Sequence, residues 1–208
     1  MKITSYVLGS FQTNCYLAES AGEAVLIDPA VYSEQIASYL IDNALVLKYV
    51  LLTHNHFDHT MGAAEFCEQF AAPAAAGAAD SDFMSDPLVN AVRLPGVSPG
   101  KAPCVSVRLN EGSLIKFGGC VLRVIGTPGH SAGSVSFYSE GILFSGDTLF
   151  RASIGRTDLP GGDFNTIISS VTGKLYLLPD DTKVYPGHGG PTEIGWEKKN
   201  NYYAKADD

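Results

Sequence analysis

A run of seven residues, THNHFDH at positions 53–59, places three of the five histidines of this chain beside an aspartate. Imidazole and carboxylate groups at such close spacing are typical metal ligands and general acids or bases. On a helix, His54 and His56 would point about 200° apart, so one helical face does not explain the run. The preceding residues, KYVLLT, have the pattern of a buried strand. The run is therefore predicted in the turn after that strand, where neighbouring side chains can converge on one point.

The remaining two histidines and one aspartate occupy the same kind of position. His130 ends LRVIGTPGH and His188 lies in KVYPGHG, so each follows an apolar strand and a Gly/Pro turn. Asp147 follows the apolar segment of GILFSGD in the same way. Ligands of mixed α/β sheets bind at the carboxyl ends of strands. Histidines scattered over the surface or core would not all follow strands, and we therefore predict a metal site.

The number of candidate ligands indicates how many metal ions this site holds. The seven candidates are His54, His56, Asp58, His59, His130, Asp147 and His188. Seven groups exceed the four of a closed zinc site. Two ions about 3.5–4 Å apart, sharing one carboxylate, would use all seven and leave room for water. Nitrogen and oxygen ligands favour zinc, with iron or manganese as alternatives, and open positions indicate catalysis.

Short apolar strands alternate with helical patterns, which predicts one mixed α/β domain over residues 1–208. Strands are predicted at 3–8, 15–18, 24–27, 48–52, 121–125, 134–138, 142–145 and 183–185. Helices are predicted at 34–43 after Ser33, at 60–70, from Asp163 to Leu175, and from Thr192 through Trp196. Residues 71–79, AAPAAAGAA, are predicted to form a short strand and turn, and 85–104 a surface loop that is either a lid or a variable connection.

Composition and charge exclude several classes of partner. A net charge of −8 and a pI near 5.0 argue against nucleic acid, whose binding proteins carry basic patches. The N-terminal residues lack the apolar stretch of a signal peptide, and no run approaches the ~20 apolar residues of a membrane span. The four cysteines show no C-x-x-C pairing, which indicates free thiols in a reducing compartment. We predict a cytoplasmic protein without membrane contact; these patterns leave the oligomeric state open.

The spacing T-H-x-H-x-D-H, with a downstream His, a GDTLF aspartate and a PGHG histidine, resembles the metallo-β-lactamase-fold hydrolases from about residue 3 to 200. Residues 146–163 and 185–200 are most similar to the small glyoxalase II-like branch. The resemblance implies an αββα sandwich with a dinuclear metal site at one edge of the sheets. It implies that His54, His56 and His130 hold one ion, that Asp58, His59 and His188 hold the other, and that Asp147 bridges them.

The same resemblance implies a thioesterase that acts on S-acylglutathione, such as S-lactoylglutathione, or a related small thioester. A metal-bound hydroxide would attack the carbonyl, and Asp58 would take or relay a proton while bound. Arg156 stands where the glutathione thioesterases have a basic residue near the peptide, although pairing with Asp158 is the alternative. Asp28 either braces the histidine-rich loop, as an aspartate does in the family, or is a turn residue before Pro29.

Two departures predict weak glutathione recognition. The chain ends soon after Trp196, without the C-terminal helical domain of the full-length enzymes, and Gly190 stands where they have a tyrosine. The main alternative is a persulfide dioxygenase with one iron held by two histidines and an aspartate, which also shows a GRTD stretch. A lactonase of the same fold is a further alternative. The Asp58-His59 pair, in place of the Asp-Arg of the commonest class, argues against a β-lactamase. A non-catalytic metal-binding module is the weakest alternative, because no ligand is missing.

Overall fold

Two six-stranded sheets form the centre of the computed structural model, which describes residues 1–82, 84, 101 and 103–205. The first sheet contains β1 (Lys2–Leu8), β2 (Thr13–Ser20), β3 (Glu23–Ile27), β4 (Val46–Leu52), β5 (Ala74–Gly77) and β6 (Val105–Leu109), in that order. Strands β1 to β3 pair antiparallel, and β3 to β6 pair parallel. The parallel half brings the carboxyl ends of β3, β4 and β5 to one edge.

The second sheet has the order β14-β13-β10-β9-β8-β7. Its strands are β7 (Leu114–Phe117), β8 (Cys120–Gly126), β9 (Val135–Ser139), β10 (Ile142–Gly146), β13 (Lys183–Pro186) and β14 (Thr192–Glu193). A separate hairpin contains β11 (Leu149–Phe150) and β12 (Ser153–Ile154). Strands β10 and β13 are parallel, whereas the other pairs of this sheet are antiparallel. The carboxyl ends of β10 and β13 therefore lie side by side.

Helices cover the outer faces of both sheets. The helices are α1 (Glu34–Asp42), α2 (Phe57–Thr60), α3 (Ala63–Phe70), α4 (Ala78–Ser81), α5 (Phe164–Gly173) and α6 (Ile194–Asn200), with a 3₁₀ turn at Leu175–Leu177. Ile36 and Phe66 of α1 and α3 pack on the first sheet. Val171 and Ile194 of α5 and α6 pack with the second sheet.

The two sheets face each other, and an apolar cluster fills the space between them. Leu51 and Ala75 of the first sheet pack there with Leu122, Phe137 and Phe144 of the second. This burial holds the sheets together, since apolar contact area is the main source of stability in such a sandwich. The predicted αββα arrangement and the mixed α/β class are thus confirmed. That residues 1–208 form a single domain stays a prediction.

All eight predicted strands are present, but the predicted elements differ from the structure in several places. Strands β6, β7, β11, β12 and β14 were not predicted. The predicted helix 60–70 begins at Ala63, as α3, with Gly62 as its N-cap, and Thr60 ends the separate short helix α2. Gly62 lies against the backbone of residues 31–32, where a Cβ would approach Val31 to 2.3 Å. The helix after Asp163 ends at Gly173, before the 3₁₀ turn.

The remaining differences concern a cap, a turn and the predicted loop. Thr192 lies in β14 and does not cap the last helix, whose N-cap is Glu193. The predicted short strand of 71–79 is present as β5. Residues 85–100 and 102 lie outside the described residues, so a lid at 85–104 stays a prediction. No helix of the described part of the chain is long and apolar enough to span a membrane.

Hydrogen bonds join the two sheets at the edge where these strands end. The Asn14 N–H donates to the Gly187 carbonyl at 2.7 Å, and the Asn14 amide donates to Pro186 and Gly189. The Val135 N–H donates to the Thr53 carbonyl at 2.8 Å. These bonds connect the loop after β4 with the second sheet, and the loop after β13 with the first. The predicted site residues lie at this joined edge.

Candidate metal centre

All seven predicted ligands come together at the joined edge. His54 and His56 lie in the turn after β4, as predicted, but Asp58 and His59 lie in the short helix α2 that follows it and not in the turn. The carriers of the seven are the β4–α2 segment (His54, His56, Asp58, His59), the turn after β8 (His130), the end of β10 (Asp147) and the end of β13 (His188). The side chains form two groups of three ligand atoms, with Asp147 between them. The structure therefore brings the seven residues together at one place, and their roles as metal ligands stay a proposal.

The first group contains His54, His56 and His130. One ring nitrogen of each lies within 4.8 Å of the corresponding atoms of the other two. Their ring centroids are 4.5–4.7 Å apart, and the rings are nearly perpendicular to one another. Three imidazoles facing one point in this way are the protein ligands of many zinc sites that keep an open position.

The second group contains Asp58, His59 and His188, whose ligand atoms also lie within 4.8 Å of one another. The Nε2 atoms of the two histidines are 3.2 Å apart, and Asp58 Oδ2 lies 3.3 Å from His188 Nε2. Asp147 Oδ1 is 3.4 Å from His59 Nε2. Asp147 Oδ2 is 3.5 Å from His130 Nε2 and 3.6 Å from His188 Nε2. One carboxylate thus contacts histidines of both groups.

Unpaired nitrogens show that this donor set fits metal ions. Among the described residues, Nε2 of His54 and Nε2 of His130 are buried without a hydrogen-bond partner. Leaving a buried polar atom unpaired costs about 1–3 kcal/mol, and a divalent ion at this point would remove that cost. The donors are imidazole nitrogens and carboxylate oxygens, which suit zinc, iron and manganese alike. The centre is therefore suited to divalent metal ions whose identity the donors leave open.

The opposite ring nitrogens of the histidines are held by hydrogen bonds that direct Nε2 towards the centre. His130 Nδ1–H donates to the Arg156 carbonyl at 2.7 Å. His59 Nδ1–H donates to Asp28 Oδ2 at 2.9 Å, and His54 Nδ1–H donates to Thr53 Oγ1 at 3.0 Å. A hydrogen bond at Nδ1 fixes the tautomer in which Nε2 carries the lone pair.

Asp28 links His54 and His59 on the side of the rings that faces away from the metal centre: it contacts His59 directly and His54 through Thr53. Its carboxylate accepts bonds from the Thr53 N–H and Thr53 Oγ1–H at 2.8 and 2.7 Å, in addition to the bond from His59. Asp28 is buried and has a left-handed backbone conformation, with φ 51°. Both carboxylate oxygens are occupied, so Asp28 is better placed to orient His54 and His59 than to bind a metal itself. Asp28 thus makes the contacts that a residue bracing the histidine-rich loop would need, and that role stays a proposal.

Burial and neighbouring charges set the protonation of the histidines. Burial lowers the pKa of His54 well below its usual value, and the nearby His59 and His56 lower it further. Burial, together with His130 and His59, lowers the pKa of His56 to about 4. Both imidazoles are therefore neutral at pH 7 and offer free lone pairs, as metal binding requires.

The second group differs because carboxylates surround it. Burial alone would lower the pKa of His59, but the charges of Asp147 and Asp28 raise it well above the usual value. Burial would raise the pKa of Asp147, but the charges of His59 and His130 lower it overall. Without metal, this group therefore holds a proton on His59, which a bound ion must displace.

Arg156 lies at the rim of the centre and is already paired. Its Nε and its terminal nitrogen each contact one oxygen of Asp158 at 2.7 Å, and both side chains are exposed. This ion pair is the alternative that the sequence offered for Arg156. The side chain also lines the cavity in front of the metal centre, so a substrate contact stays a proposal.

Asp80, which the sequence analysis missed, links the loops that carry the first group. It lies in α4 and is buried. Asp80 Oδ2 accepts bonds from the Asn55 N–H at 3.0 Å and from Ser131 Oγ–H at 2.6 Å, and Oδ1 accepts from the Gly133 N–H at 2.6 Å. Burial raises the pKa of this carboxyl, and the bonds from Ser131 and Gly133 oppose that effect. The sequence did offer one signal for Asp80: it follows the strand AAAG closely, as Asp28 follows β3.

Replacing Asp80 by Asn should weaken metal binding without removing a ligand. The amide NH₂ would face at least one buried N–H or O–H donor, so one hydrogen bond is lost. We expect the free energy of unfolding of the metal-free protein to fall by about 3 kcal/mol. We expect metal affinity to fall about 10–100-fold, as is typical when a group that orients ligands is changed. Urea denaturation and metal titration against a chelator would measure both.

Asp82→Asn is the matched control, because Asp82 is an exposed aspartate of the adjoining segment that pairs with the exposed Arg108. It should leave metal affinity unchanged. An Asp80→Asn variant that is destabilised but binds metal normally would show that Asp80 only stabilises the fold.

Comparisons with known proteins identify the family of this chain. The family model of the metallo-beta-lactamase superfamily matches residues 8–188. Hydroxyacylglutathione hydrolase GloC from Haemophilus influenzae is 34% identical over 205 residues, which cover 97% of each chain. The crystal structure of BLEG-1 B3 metallo-beta-lactamase is similar with a TM-score of 0.91 and 37% identity, over 98% of this chain and 99% of that one.

Two further solved structures are similar to this chain. TTHA1623, solved in a di-iron-bound form, has a TM-score of 0.83 and 36% identity over 96% of this chain and 99% of that one. ETHE1 from Myxococcus xanthus has a TM-score of 0.77 and 30% identity over 98% of this chain and 84% of that one. The family model covers most of the chain, and a curated hydrolase is 34% identical to it over nearly its full length: the chain belongs to the metallo-beta-lactamase superfamily.

Proposed function

We propose that this protein is a dinuclear metal-dependent thioesterase that acts on an acylglutathione or a related small thioester. The observation that carries the proposal is the meeting of two groups of ligand atoms around Asp147 at the floor of a cavity. The similarity to hydroxyacylglutathione hydrolase GloC supports thioesters as the substrate class. Zinc is the proposed metal, with iron or manganese as alternatives.

The chain would hold the two ions through the residues described above, with Asp147 shared. When bound, divalent ions of such a centre acidify water and polarise a carbonyl, which supplies the nucleophile and the electrophile. Overall, water adds to the carbonyl carbon, the C–S bond breaks, and the released thiol and carboxylic acid share the protons of that water. Neither a serine nor a cysteine nucleophile is needed for this reaction.

Asp58 is the residue proposed to move a proton. Burial would raise the pKa of this carboxyl, but the hydrogen bond with His188 and the charge of His59 lower it overall. Asp58 is therefore a carboxylate at neutral pH, and it lines the cavity next to the ligand nitrogens. A carboxylate in this place can accept a proton from the attacking water and pass it towards the leaving sulfur.

Two other activities are supported by the comparisons, and a lactonase is a third alternative that the sequence left open. The GRTD stretch and the similarity to ETHE1 keep a mononuclear iron persulfide dioxygenase as the second candidate. The similarity to BLEG-1 makes β-lactams a substrate class to test, although the Asp58-His59 pair argued against them. A lactonase would use the same centre on a different electrophilic carbonyl.

The deciding experiment combines metal analysis with a substrate panel. Purified protein loaded in turn with zinc, iron and manganese would be assayed with S-lactoylglutathione, a neutral thioester, a lactone, a β-lactam and glutathione persulfide. We expect close to two ions per chain, and thioester hydrolysis that a chelator abolishes. A single iron with oxygen consumption on the persulfide would establish the dioxygenase instead, and turnover of the lactone or β-lactam alone would also overturn the proposal.

The Arg156–Asp158 pair predicts how the charge of a substrate affects the rate. In the Asp158→Ala variant, Arg156 is free to bind a substrate carboxylate, so KM for S-lactoylglutathione should fall about two- to fivefold, the range of an exposed ion pair. Arg156→Ala should raise KM for the same substrate, and its backbone carbonyl would still hold His130. A neutral thioester should show neither change. Equal effects on both substrates would mean that the pair only orders this loop.

A further inference from the structure

Apart from the ligands and Arg156, the walls of the cavity in front of the metal centre are apolar. The cavity has a volume of about 570 Å³, and its remaining lining residues are Phe11, Phe57, Phe150 and Leu159. This volume suits a small-molecule substrate. Three phenyl rings and a leucine thus form the apolar part of a cavity that the ligand residues also line.

The phenyl rings are fixed close to the ligands. Phe57 lies between His56 and Asp58 in the chain, is buried, and meets Phe11 edge-to-face at 5.2 Å. Phe150 packs against the ring of His188 at 6.3 Å. Phe11 belongs to the turn between β1 and β2 and keeps 38% of its surface exposed. A substrate group that covered Phe11 would remove that apolar surface from water, which favours binding.

Among the described residues that line the cavity, no unpaired cationic side chain is present to bind a substrate carboxylate. Arg156 is the one Lys or Arg among the described residues that line it, and Asp158 already neutralises it. The whole chain carries a net charge of −8. Glutathione brings two carboxylates, which would find no free cation among these lining residues. An uncharged substrate meets neither difficulty.

We propose that this cavity selects an apolar acyl group, so that the preferred substrates are uncharged thioesters of short fatty or aryl acids. The inference rests on the proposed thioesterase activity and names its substrate class. An acyl chain attached to the reacting carbonyl packs between Phe57 and Phe150, and its end covers Phe11. Each methylene that becomes buried should raise kcat/KM about fourfold until the cavity is filled.

The test uses a series of N-acetylcysteamine thioesters that differ only in the acyl group. For the zinc-loaded protein, kcat/KM should rise at least about tenfold from acetyl to butyryl or phenylacetyl and exceed that for S-lactoylglutathione. Phe11→Ala should lower kcat/KM for the longer acyl groups several-fold and leave the acetyl substrate nearly unchanged. Tyr202→Ala is the matched control, because Tyr202 is 81% exposed and lies outside the cavity.

A rate that is flat or falls with acyl length would overturn the inference, as would a Phe11→Ala variant that slows all acyl groups equally. Binding of acetohydroxamate, butanohydroxamate and hexanohydroxamate, measured by calorimetry, separates this outcome from failure of the proposed function. These probes chelate the metals through one common group and need no turnover. If no thioester is hydrolysed but affinity still rises with chain length and falls in Phe11→Ala, only the thioesterase proposal fails.

Discussion

Asp147→Ala should remove both metal ions and lower kcat/KM for any substrate by about 10³ or more. Its carboxylate lies within 3.4–3.6 Å of imidazoles from both groups, so neither group is complete without it. Loss of a single charge-stabilising group in an active site already costs about 10²–10³ in rate, and here the metals would be lost as well. Elemental analysis and thioester assays of the variant would measure the two effects.

His188→Ala is the comparison variant, which distinguishes loss of a shared ligand from loss of a ligand of one ion. His188 belongs to the second group only, and its side chain keeps 29% of its surface exposed. We expect this variant to retain about one ion per chain, held by the three imidazoles of the first group. If Asp147→Ala kept two ions, or if His188→Ala lost both, the assignment of Asp147 as the shared ligand would be wrong.

The predicted ligand residues, which the structure brings together, share one local signal. Each of the histidines, and Asp147, follows an apolar segment and a turn, and the parallel strands of both sheets bring such ends to one edge. The ligand positions could therefore be predicted without knowing how the sheets pack. The residues that orient the ligands and line the cavity could not be predicted in this way. Their roles depend on contacts between segments that are far apart in the chain.

Asp80 and Phe11 illustrate that limit. Asp80 contacts Ser131 and Gly133, which lie 51 and 53 residues further along the chain. Nothing in the residues around Asp80 indicates these partners. Phe11 reads as a turn residue and contacts the cavity only because its turn reaches Phe57 of another segment. The packing of the two sheets brings these residues to the metal centre. Local sequence patterns predict strands, turns and helix caps, but they do not predict such contacts between distant segments.

Strands β6 and β7 were missed for a different reason. Their residues, VSVRL and LIKF, alternate between inward and outward positions and carry Arg108 and Lys116 on the exposed face. The two strands lie at the edges of their sheets, where one face and one edge contact water. A short alternating segment with charged residues gives a weaker strand signal than the continuous apolar runs of β4 or β10.

Gly187→Ala should disable the centre although it removes no ligand. A Cβ at this position would lie 2.1 Å from Asp147 Oδ1 and 2.7 Å from His59 Cε1. The backbone cannot easily move away, because the Gly187 N–H donates to the Gly146 carbonyl and its own carbonyl accepts from the Asn14 N–H, at 2.8 and 2.7 Å. The added methyl must therefore displace the shared carboxylate. We expect metal content to fall well below one ion per chain and kcat/KM to fall about 10²–10³-fold.

Gly190→Ala provides the matched control three residues further along the same loop. A Cβ there meets no atom of the described residues within 4 Å, so the same chemical change should leave metal content and activity unaltered. Circular dichroism of the Gly187→Ala variant should show a folded chain, because the displaced groups lie at the edge of the sheets and outside the apolar clusters. Normal metal binding by Gly187→Ala would mean that the ligands can shift by more than 1 Å without loss. In that case the rigid placement of Asp147, on which both predictions rest, would have to be abandoned.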